Sequence, residues 1–210
     1  MREPGRIIPP EPPVVDPSDP RSQVFKNRGA LLALPALALV AFGRPSAFSI
    51  AVGLPVAFAG ELMRCWAVGY SGESTRDDRV VAPRLVTAGP YAHVRNPLYL
   101  GNFATALGFS IAFTGRLRKR QRMLLAVFGL GTMAAVYATI VPLEEAYLRR
   151  KFGAAFDAYC ERVPPYLPSG VAAGDGEGTY DVTVIANAES RTFASFGGML
   201  LALAVKALRA

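Results

Sequence analysis

The sequence predicts an all-α integral membrane protein with about five transmembrane helices and a cytosolic amphipathic helix after the fourth span. Of the 210 residues, 51% are hydrophobic and 19% are charged. Several apolar runs approach the roughly 20 residues that a helix needs to cross a bilayer. Lys and Arg outnumber Asp and Glu by 23 to 16. On so apolar a chain, this excess is typical of loops that face anionic lipid head groups rather than of nucleic-acid binding.

The chain begins with a segment that we interpret as a proline-rich, disordered tail over residues 1–22. Seven of the 17 prolines fall within the first 20 residues, where they prevent a regular helix and leave little apolar surface for a core. The segment does not have the pattern of a signal peptide, because no apolar stretch directly follows a basic start.

The first long apolar run predicts a pair of spans. Residues 29–60 carry one charge, on Arg44, and Pro45 follows it. A single helix of that length would measure about 48 Å, which is too long for an apolar core of about 30 Å. We therefore predict two spans joined by a turn, at residues 29–43 and 46–66.

The remaining runs complete the set of spans. Residues 98–115 and 123–143 carry no charge, and a fifth apolar run covers residues 193–210. With these spans, fifteen basic residues lie on the side of the N-terminus and eight on the other side, which predicts a cytoplasmic N-terminus. The basic cluster at residues 116–122 departs from that rule.

Two polar segments carry the residue types from which a ligand site can be built. Because two spans separate Asn96 from Glu144, both segments should meet at one membrane face. In the first, PRLVTAGPYAHVRNPLYLGN, Pro97 can open a helix that Asn96 caps. The free N–H groups and positive dipole end of such a helix suit a ligand's carboxylate. The alternative is an interfacial anchor, since aromatic and basic side chains are typical of head-group depth.

The second segment is VPLEEAYLRRKFGAAFDAYCERVPPYLP. Its Pro142 should kink or end span four. Apolar residues then recur every three or four positions from Leu148 to Val163, which predicts an amphipathic helix on the membrane surface. The adjacent Glu144 and Glu145 form either the solvated first turn of this helix or a partly desolvated site that attracts a cation.

Several other kinds of site are excluded. His93 is the single histidine, and Cys65 and Cys160 are the two cysteines. These counts exclude a multi-His metal cluster, a four-cysteine zinc site and a disulfide framework, so we expect no metal. The P-loop, G-x-S-x-G and H-E-x-x-H motifs are missing from the sequence. His93 is either an interfacial residue or a general base.

The two polar segments are similar to those of a known family. VTAGPYAHVRNPLYLGN resembles the G-x-Y-x-x-x-R-[HN]-P-x-Y-x-G block of membrane-embedded methyltransferases. EEAYLRRKFGAAFDAYCERVPPYLP resembles their E-E-x-x-L-x-x-x-F-G-x-x-[YF]-x-x-Y-x-x-x-V-P block. The group includes isoprenylcysteine carboxyl methyltransferases and phospholipid N-methyltransferases. With the spans between them, the two blocks cover residues 83–168.

This resemblance implies S-adenosyl-L-methionine as the methyl donor, bound at the cytosolic face. The donor contacts that it implies are Arg84, Leu85, Val86, Tyr91, Asn96, Pro97, Leu98, Tyr99 and Glu145. By their chemistry, Arg95 and helix N–H groups would hold the donor's carboxylate, and Glu145, helped by Glu144, would face its amino group or sulfonium. Tyr91 and Tyr99 would form aromatic walls, which attract a cation. No catalytic residue is assigned from the resemblance, and Arg95 and Glu144 are the candidates for that role.

The resemblance implies an S-adenosyl-L-methionine-dependent methyltransferase of the isoprenylcysteine carboxyl methyltransferase type, which acts on a lipid-like or apolar acceptor. Val141 stands where the prenylcysteine enzymes place an Arg, which argues against a prenylcysteine substrate, and Asn96 replaces the His of many relatives. The alternatives are a phospholipid N-methyltransferase and a non-enzymatic helical membrane scaffold. Sterol reductases that use NADPH share a related block, but Leu98 and Asn102 differ from their pattern.

We divide the chain into the tail at 1–22, a methyltransferase core at 23–168, a flexible or interfacial link at 169–190 and a C-terminal membrane helix at 191–210. The expected partners are the bilayer and the lipid-like acceptor, with no nucleic acid and no obligate protein partner. The expected location is the bacterial inner membrane, with the N-terminus and the active site on the cytoplasmic side.

Overall fold

The computed structural model describes residues 19–72, 82–173 and 176–209. Most of the tail predicted for residues 1–22 lies outside these ranges, and the first helix already begins at Arg21. All regular structure in the described part is helical: seven α-helices and a 3₁₀ turn. They are α1 Arg21–Phe42, α2 Ala47–Ser71, the 3₁₀ turn Gly89–Ala92, α3 Pro97–Phe113, α4 Lys119–Phe152, α5 Ala154–Arg162, α6 Thr183–Ala188 and α7 Ser190–Leu208.

Four helices in the described ranges are long and apolar enough to cross a membrane, namely α1, α2, α4 and α7. The fifth apolar helix, α3, has 17 residues, which extend about 26 Å against an apolar core of about 30 Å. The predicted class, an all-α integral membrane protein, is confirmed. The third predicted span, at residues 98–115, corresponds to α3 and is shorter than the other four helices.

A tight turn joins α1 to α2 at the predicted Arg44 and Pro45. Ser46 then begins α2 with a reciprocal pair of hydrogen bonds. The N–H of Ser49 donates to Oγ of Ser46 (3.1 Å), and the N–H of Ser46 donates to Oγ of Ser49 (3.0 Å). Such a capping box satisfies two N–H groups that a helix start otherwise leaves without partners.

The helices α2 and α3 pack antiparallel with their backbones in contact. A Cβ atom built at Gly53 would collide with the backbone of Gly108, and one built at Gly60 would collide with the backbone of Gly101 and Thr105. In each helix the two glycines are seven residues apart, or about two turns, so they share one face. Small residues at such an interface let membrane helices approach closely. This contact holds the short α3 in the bundle.

The helix α4 differs from the prediction, because it continues through Pro142 to Phe152. The ring of Pro142 is exposed, and a proline removes only one backbone hydrogen bond of the helix. The break falls at Gly153, whose φ of +53° favours glycine. The predicted amphipathic helix is therefore divided between the end of α4 and α5. Its apolar stripe faces the protein, where Phe156 is buried in one cluster with Leu85.

The segment between α5 and α7 packs against the loop that precedes α3. The N–H of Thr87 donates to the carbonyl of Glu177 (2.9 Å), and the N–H of Asp181 donates to the carbonyl of Gly69 at the end of α2 (2.8 Å). These bonds anchor the loop from which several predicted site residues come. The four-part division of the chain stays a prediction.

Candidate active site

A cavity of about 600 Å³ lies at the end of the bundle where α3 begins and α4 ends. We call it the polar cavity. Every residue predicted for the site lines it: Arg84, Leu85, Val86, Tyr91, Arg95, Asn96, Pro97, Leu98, Tyr99, Glu144 and Glu145. Its volume is within the usual range of sites for small molecules, roughly 300–1,000 Å³. Two segments about fifty residues apart in the sequence thus form one cavity.

Arg95 joins three parts of this cavity. Its Nε donates to Oε1 of Glu145 (2.9 Å) and its Nη2 to Oε2 of Glu145 (3.3 Å), while Nη1 donates to the carbonyls of Val163 (2.7 Å) and Cys160 (3.3 Å). A two-pronged guanidinium–carboxylate pair of this kind is strong and directional. Glu145 therefore already has a cationic partner, and a ligand's ammonium would share the carboxylate with Arg95.

The neighbouring Glu144 has a different partner. The hydroxyl of Tyr99, in the first turn of α3, donates to the Glu144 carboxylate, with both oxygens at 2.8 Å. A hydrogen bond to a charged group is stronger than one between neutral groups. The two adjacent acids thus tie α4 to both sides of the α3 start, one through Tyr99 and the other through Arg95.

Asn96 occupies the N-cap position of α3, but its side chain does not cap the helix. The prediction of a capping side chain is wrong, because the amide turns outward and its Nδ2 donates to the carbonyl of Pro165 (3.0 Å). In the described part of the chain no side chain caps α3, and Leu98 and Tyr99, which supply its first free N–H groups, line the polar cavity. A helix start of this kind suits an anion.

Two tyrosines form a wall opposite these charges. The hydroxyl of Tyr159 donates to the backbone carbonyl of Tyr91 (2.8 Å), and both residues line the polar cavity. Burial raises the pKa of Tyr91 to about 12, so this ring stays neutral near pH 7. Burial also raises the pKa of Tyr159.

His93, in contrast, does not line the polar cavity as described. Its ring Nδ1 lies 3.2 Å from the carbonyl of Ser169, and the N–H of Ser169 donates to the carbonyl of His93 (2.9 Å). These contacts join the loop before α3 to the segment after α5. The interfacial role and the role as general base both stay predictions for His93.

Other helices contribute residues that the sequence does not assign to the site. They include Phe25, Lys26 and Arg28 on α1, Arg64 on α2, Arg191 and Thr192 on α7, and Glu189 immediately before α7. Arg64 donates through Nη2 to Glu189, at 2.7 and 3.0 Å from the two carboxylate oxygens. The sequence offers a weak signal for Arg64, since Glu61 and Arg64 are charged residues at the end of an apolar run, but no pattern relates Arg64 to Glu189.

A second cavity, of about 240 Å³, lies deeper among α1, α3, α4 and α7. We call it the apolar cavity, because hydrophobic side chains predominate in its wall. They include Leu39, Phe109, Met133, Phe196 and Met199. Four residues line both cavities: Leu32, Asn102, Tyr137 and Thr192. The two cavities therefore adjoin.

The bundle and its two adjoining cavities define a polytopic membrane protein with a cavity of small-molecule size at one end. The family is identified by comparison: the model of the phospholipid methyltransferase family matches residues 48–155, which is about half of the chain. The chain belongs to this family. The resemblance stated from the two sequence blocks is thereby confirmed.

Of three curated relatives, two are named as methyltransferases and one as a metal resistance protein. The chain is 31% identical over 120 residues to the protein-S-isoprenylcysteine O-methyltransferase of Schizosaccharomyces pombe, covering 52% of this chain and 45% of the relative. It is 28% identical over 120 residues to protein-S-isoprenylcysteine O-methyltransferase B of Arabidopsis thaliana, covering 55% and 57%. It is also 31% identical over 140 residues to the nickel-cobalt-cadmium resistance protein NccN of Alcaligenes xylosoxydans xylosoxydans, covering 66% and 58%.

The chain spans about half the length of the curated relatives that it matches. No solved structure matches it at a significant level. Among the described residues no group of three or more His, Cys, Asp or Glu is placed to hold a metal ion.

Proposed function

We propose that the protein is an S-adenosyl-L-methionine-dependent methyltransferase that transfers a methyl group to a lipid-like acceptor at the cytoplasmic face of the bacterial inner membrane. One observation carries the proposal. The two sequence blocks that resemble the family's blocks line one cavity and are joined there by the bond from Arg95 to Glu145, at 2.9 Å.

The residues of the polar cavity fit the donor group by group. The uncapped start of α3, together with Arg84, suits the donor's carboxylate. The carboxylate of Glu145, helped by that of Glu144, suits its cationic groups, and Tyr91 and Tyr99 offer aromatic surface to a cation or a base ring. When bound, the donor supplies a methyl group on a positively charged sulfur.

The contribution of the chain is to position and enclose the reactants. The loop before α3 is held against α5, since Tyr159 binds the carbonyl of Tyr91 and Arg95 binds the carbonyl of Val163. These bonds fix the wall of the cavity next to the start of α3. Alignment of two reactants by such fixed groups supplies a large part of a rate enhancement.

The apolar cavity supports an acceptor with a hydrocarbon chain. It adjoins the polar cavity, and its wall is mostly apolar, including Phe109 and Phe196, with Glu61 as the one charged residue among the described residues that line it. A polar head would then lie at the boundary between the two cavities. Because Val141 takes the place of the Arg of prenylcysteine enzymes, the acceptor need not be a prenylcysteine.

A phospholipid N-methyltransferase is the second candidate, and the charge of the polar cavity favours it. Six basic side chains line this cavity against three acidic ones: Lys26, Arg28, Arg64, Arg84, Arg95 and Arg191 against Glu144, Glu145 and Glu189. Excess positive charge suits a phosphate group beside the acceptor's amine.

Calorimetry of the purified protein in detergent tests the proposal. Titration with S-adenosyl-L-methionine should give a saturable heat, and titration with NADPH should give none. The protein should then transfer label from methyl-labelled donor to a component of the host's total lipid extract, whose chemical class identifies the acceptor. Heat with NADPH alone would favour a reductase, and no heat with either compound would favour a scaffold.

A further inference from the structure

Three of the four described residues at the boundary between the two cavities are polar. Asn102 on α3, Tyr137 on α4 and Thr192 on α7 line both cavities. The Tyr137 residue is only 4% exposed. Rings on one side fix its orientation, with the centroid of Tyr99 at 4.3 Å and that of Phe103 at 5.6 Å. Tyr137 therefore presents its hydroxyl at a defined place between the cavities.

A chain of hydrogen bonds that starts at Glu189, just before α7, determines whether this hydroxyl donates or accepts. Glu189, which is 1% exposed, accepts from Nη2 of Arg64 (2.7 Å), and Nη1 of Arg64 donates to Oδ1 of Asn102. Because a guanidinium can only donate, the amide oxygen of Asn102 must face Arg64 and its NH₂ group must face away. That NH₂ group donates to the hydroxyl oxygen of Tyr137 (2.7 Å).

The proton of the Tyr137 hydroxyl is left to donate elsewhere. The amide NH₂ of Asn102 donates to the hydroxyl oxygen, so the hydroxyl proton needs a different group as its acceptor. The described residues provide none within hydrogen-bond distance. A buried donor without an acceptor is costly, and this donor lies at the junction of two cavities that a substrate can fill.

We propose that the Tyr137 hydroxyl donates a hydrogen bond to the head of the methyl acceptor, and that Glu189 and Arg64 position it through Asn102. The acceptor class is then an amphiphile that carries a hydrogen-bond-accepting oxygen or nitrogen where its head joins its hydrocarbon chain. Such a chain lies in the apolar cavity, and the head faces the polar cavity. The role as a contact to the methyl acceptor rests on the proposed function, whereas the hydrogen bond itself can be tested without it.

The inference also assigns a role to a part of the chain beyond the family match, which ends at residue 155. Glu189 precedes α7, and the α7 side chain Phe196 packs on Phe109 with ring centroids 5.1 Å apart. The C-terminal helix therefore contributes both to the wall of the apolar cavity and to the hydrogen bonds at its polar end. Glu189 is a positioning residue, and Tyr137 is the residue that contacts the acceptor.

Two probes of equal chain length test the hydrogen bond without knowledge of the natural acceptor. They are 1-dodecanol, which has a hydroxyl head, and 1-chlorododecane, which has a weak acceptor in its place. Affinities for the full-length protein in one detergent are measured by native mass spectrometry. The unmodified protein should prefer 1-dodecanol by about 3- to 10-fold, as expected for one neutral hydrogen bond.

Tyr137→Phe removes only the hydroxyl and should abolish this preference while leaving 1-chlorododecane binding unchanged. Tyr147→Phe is the matched control, because it removes a hydroxyl from the same helix at a buried residue outside both cavities. This control should keep the preference. Glu189→Gln should reduce the preference, and Glu189→Asp should restore part of it, which a merely structural residue would not do.

Equal preference for 1-dodecanol in the unmodified protein and Tyr137→Phe would overturn the inference, and so would failure of the protein to bind either probe. Binding of S-adenosyl-L-methionine, followed separately by calorimetry, decides the proposed function. A protein that binds the donor but does not discriminate between the probes refutes the role of Tyr137 alone. A protein that discriminates but does not bind the donor refutes the methyltransferase proposal alone.

Discussion

Replacing Glu145 by Gln removes one negative charge from the polar cavity while keeping the size of the side chain. Glu145 and Arg95 are largely buried, with side chains 20% and 13% exposed, so solvent screens their charges only partly. The substitution leaves Arg95 bound to the carbonyls of Val163 and Cys160. The loop before α3 should therefore keep its place, and the change should act mainly on the charge that a ligand meets.

We expect Glu145→Gln to weaken binding of S-adenosyl-L-methionine by about 1–3 kcal/mol, the usual contribution of a hydrogen bond to a charged group. This corresponds to about 5- to 160-fold in Kd, which isothermal titration calorimetry in detergent resolves. S-adenosylhomocysteine, which lacks the sulfonium charge, provides a second ligand. A larger loss for the methionine compound would indicate that Glu145 lies near the sulfur, and an equal loss would indicate the amino group.

The bond between Arg95 and Glu145 offers a competing explanation, in which Glu145 only holds Arg95 in place. A double-mutant cycle separates the two. If Glu145 contacts the donor, Glu145→Gln should weaken binding in the Arg95→Gln background as well. If it acts only through Arg95, its effect should vanish there. Unchanged donor affinity in the Glu145→Gln single variant would refute the assigned role altogether.

Three further changes test the packing, the second acid and the pH dependence of a thiol. Gly108→Ala should lower the free energy of unfolding in detergent by about 1–3 kcal/mol, because the added Cβ collides with α2. Gly129→Ala is the control and should not lower it, because the atom nearest to its added Cβ is 3.7 Å away. Equal thermal stabilities of the two variants would contradict the close contact. Tyr99→Phe removes the donor to Glu144 and should raise the Kd for the methyl donor about 5-fold or more, as measured by the same calorimetry. Burial raises the pKa of the Cys160 thiol. In a variant without Cys65, alkylation of Cys160 should therefore be slower than alkylation of free cysteine at pH 8, and the two rates should converge above pH 10. Equal rates at pH 8 would contradict that burial.

The convergence of the two polar segments could be predicted from the sequence because it depends only on counting spans. Two crossings return the chain to the same membrane face, so Asn96 and Glu144 lie at the same end of the bundle, where the packing of α3 and α4 brings Tyr99 into contact with Glu144. The contact between Arg64 and Glu189 is of another kind. It depends on how α2 and α7 are rotated against each other, and no local pattern in the sequence encodes that rotation.

Local rules failed where a distant segment competed for the same group. Asn96 is a strong capping residue, yet its amide binds the carbonyl of Pro165, because α5 brings that residue to the start of α3. Pro142 is a strong helix breaker in isolation, yet α4 continues through it. Its buried neighbours Ile140 and Val141 are fixed by packing, which outweighs the loss of one hydrogen bond.

The partners of the three acids that line the polar cavity indicate that the fold and the site form together. Glu145 binds Arg95, Glu144 binds Tyr99 and Glu189 binds Arg64. Each bond joins different elements of the chain, so none of the three acids has its partner on its own helix. An isolated charge costs several kcal/mol when it leaves water. A single helix inserted alone would meet this cost without compensation, whereas the assembled bundle offsets it at all three places. The polar cavity is therefore a product of tertiary assembly, and α7 is as necessary to it as the two family blocks that flank α3 and α4.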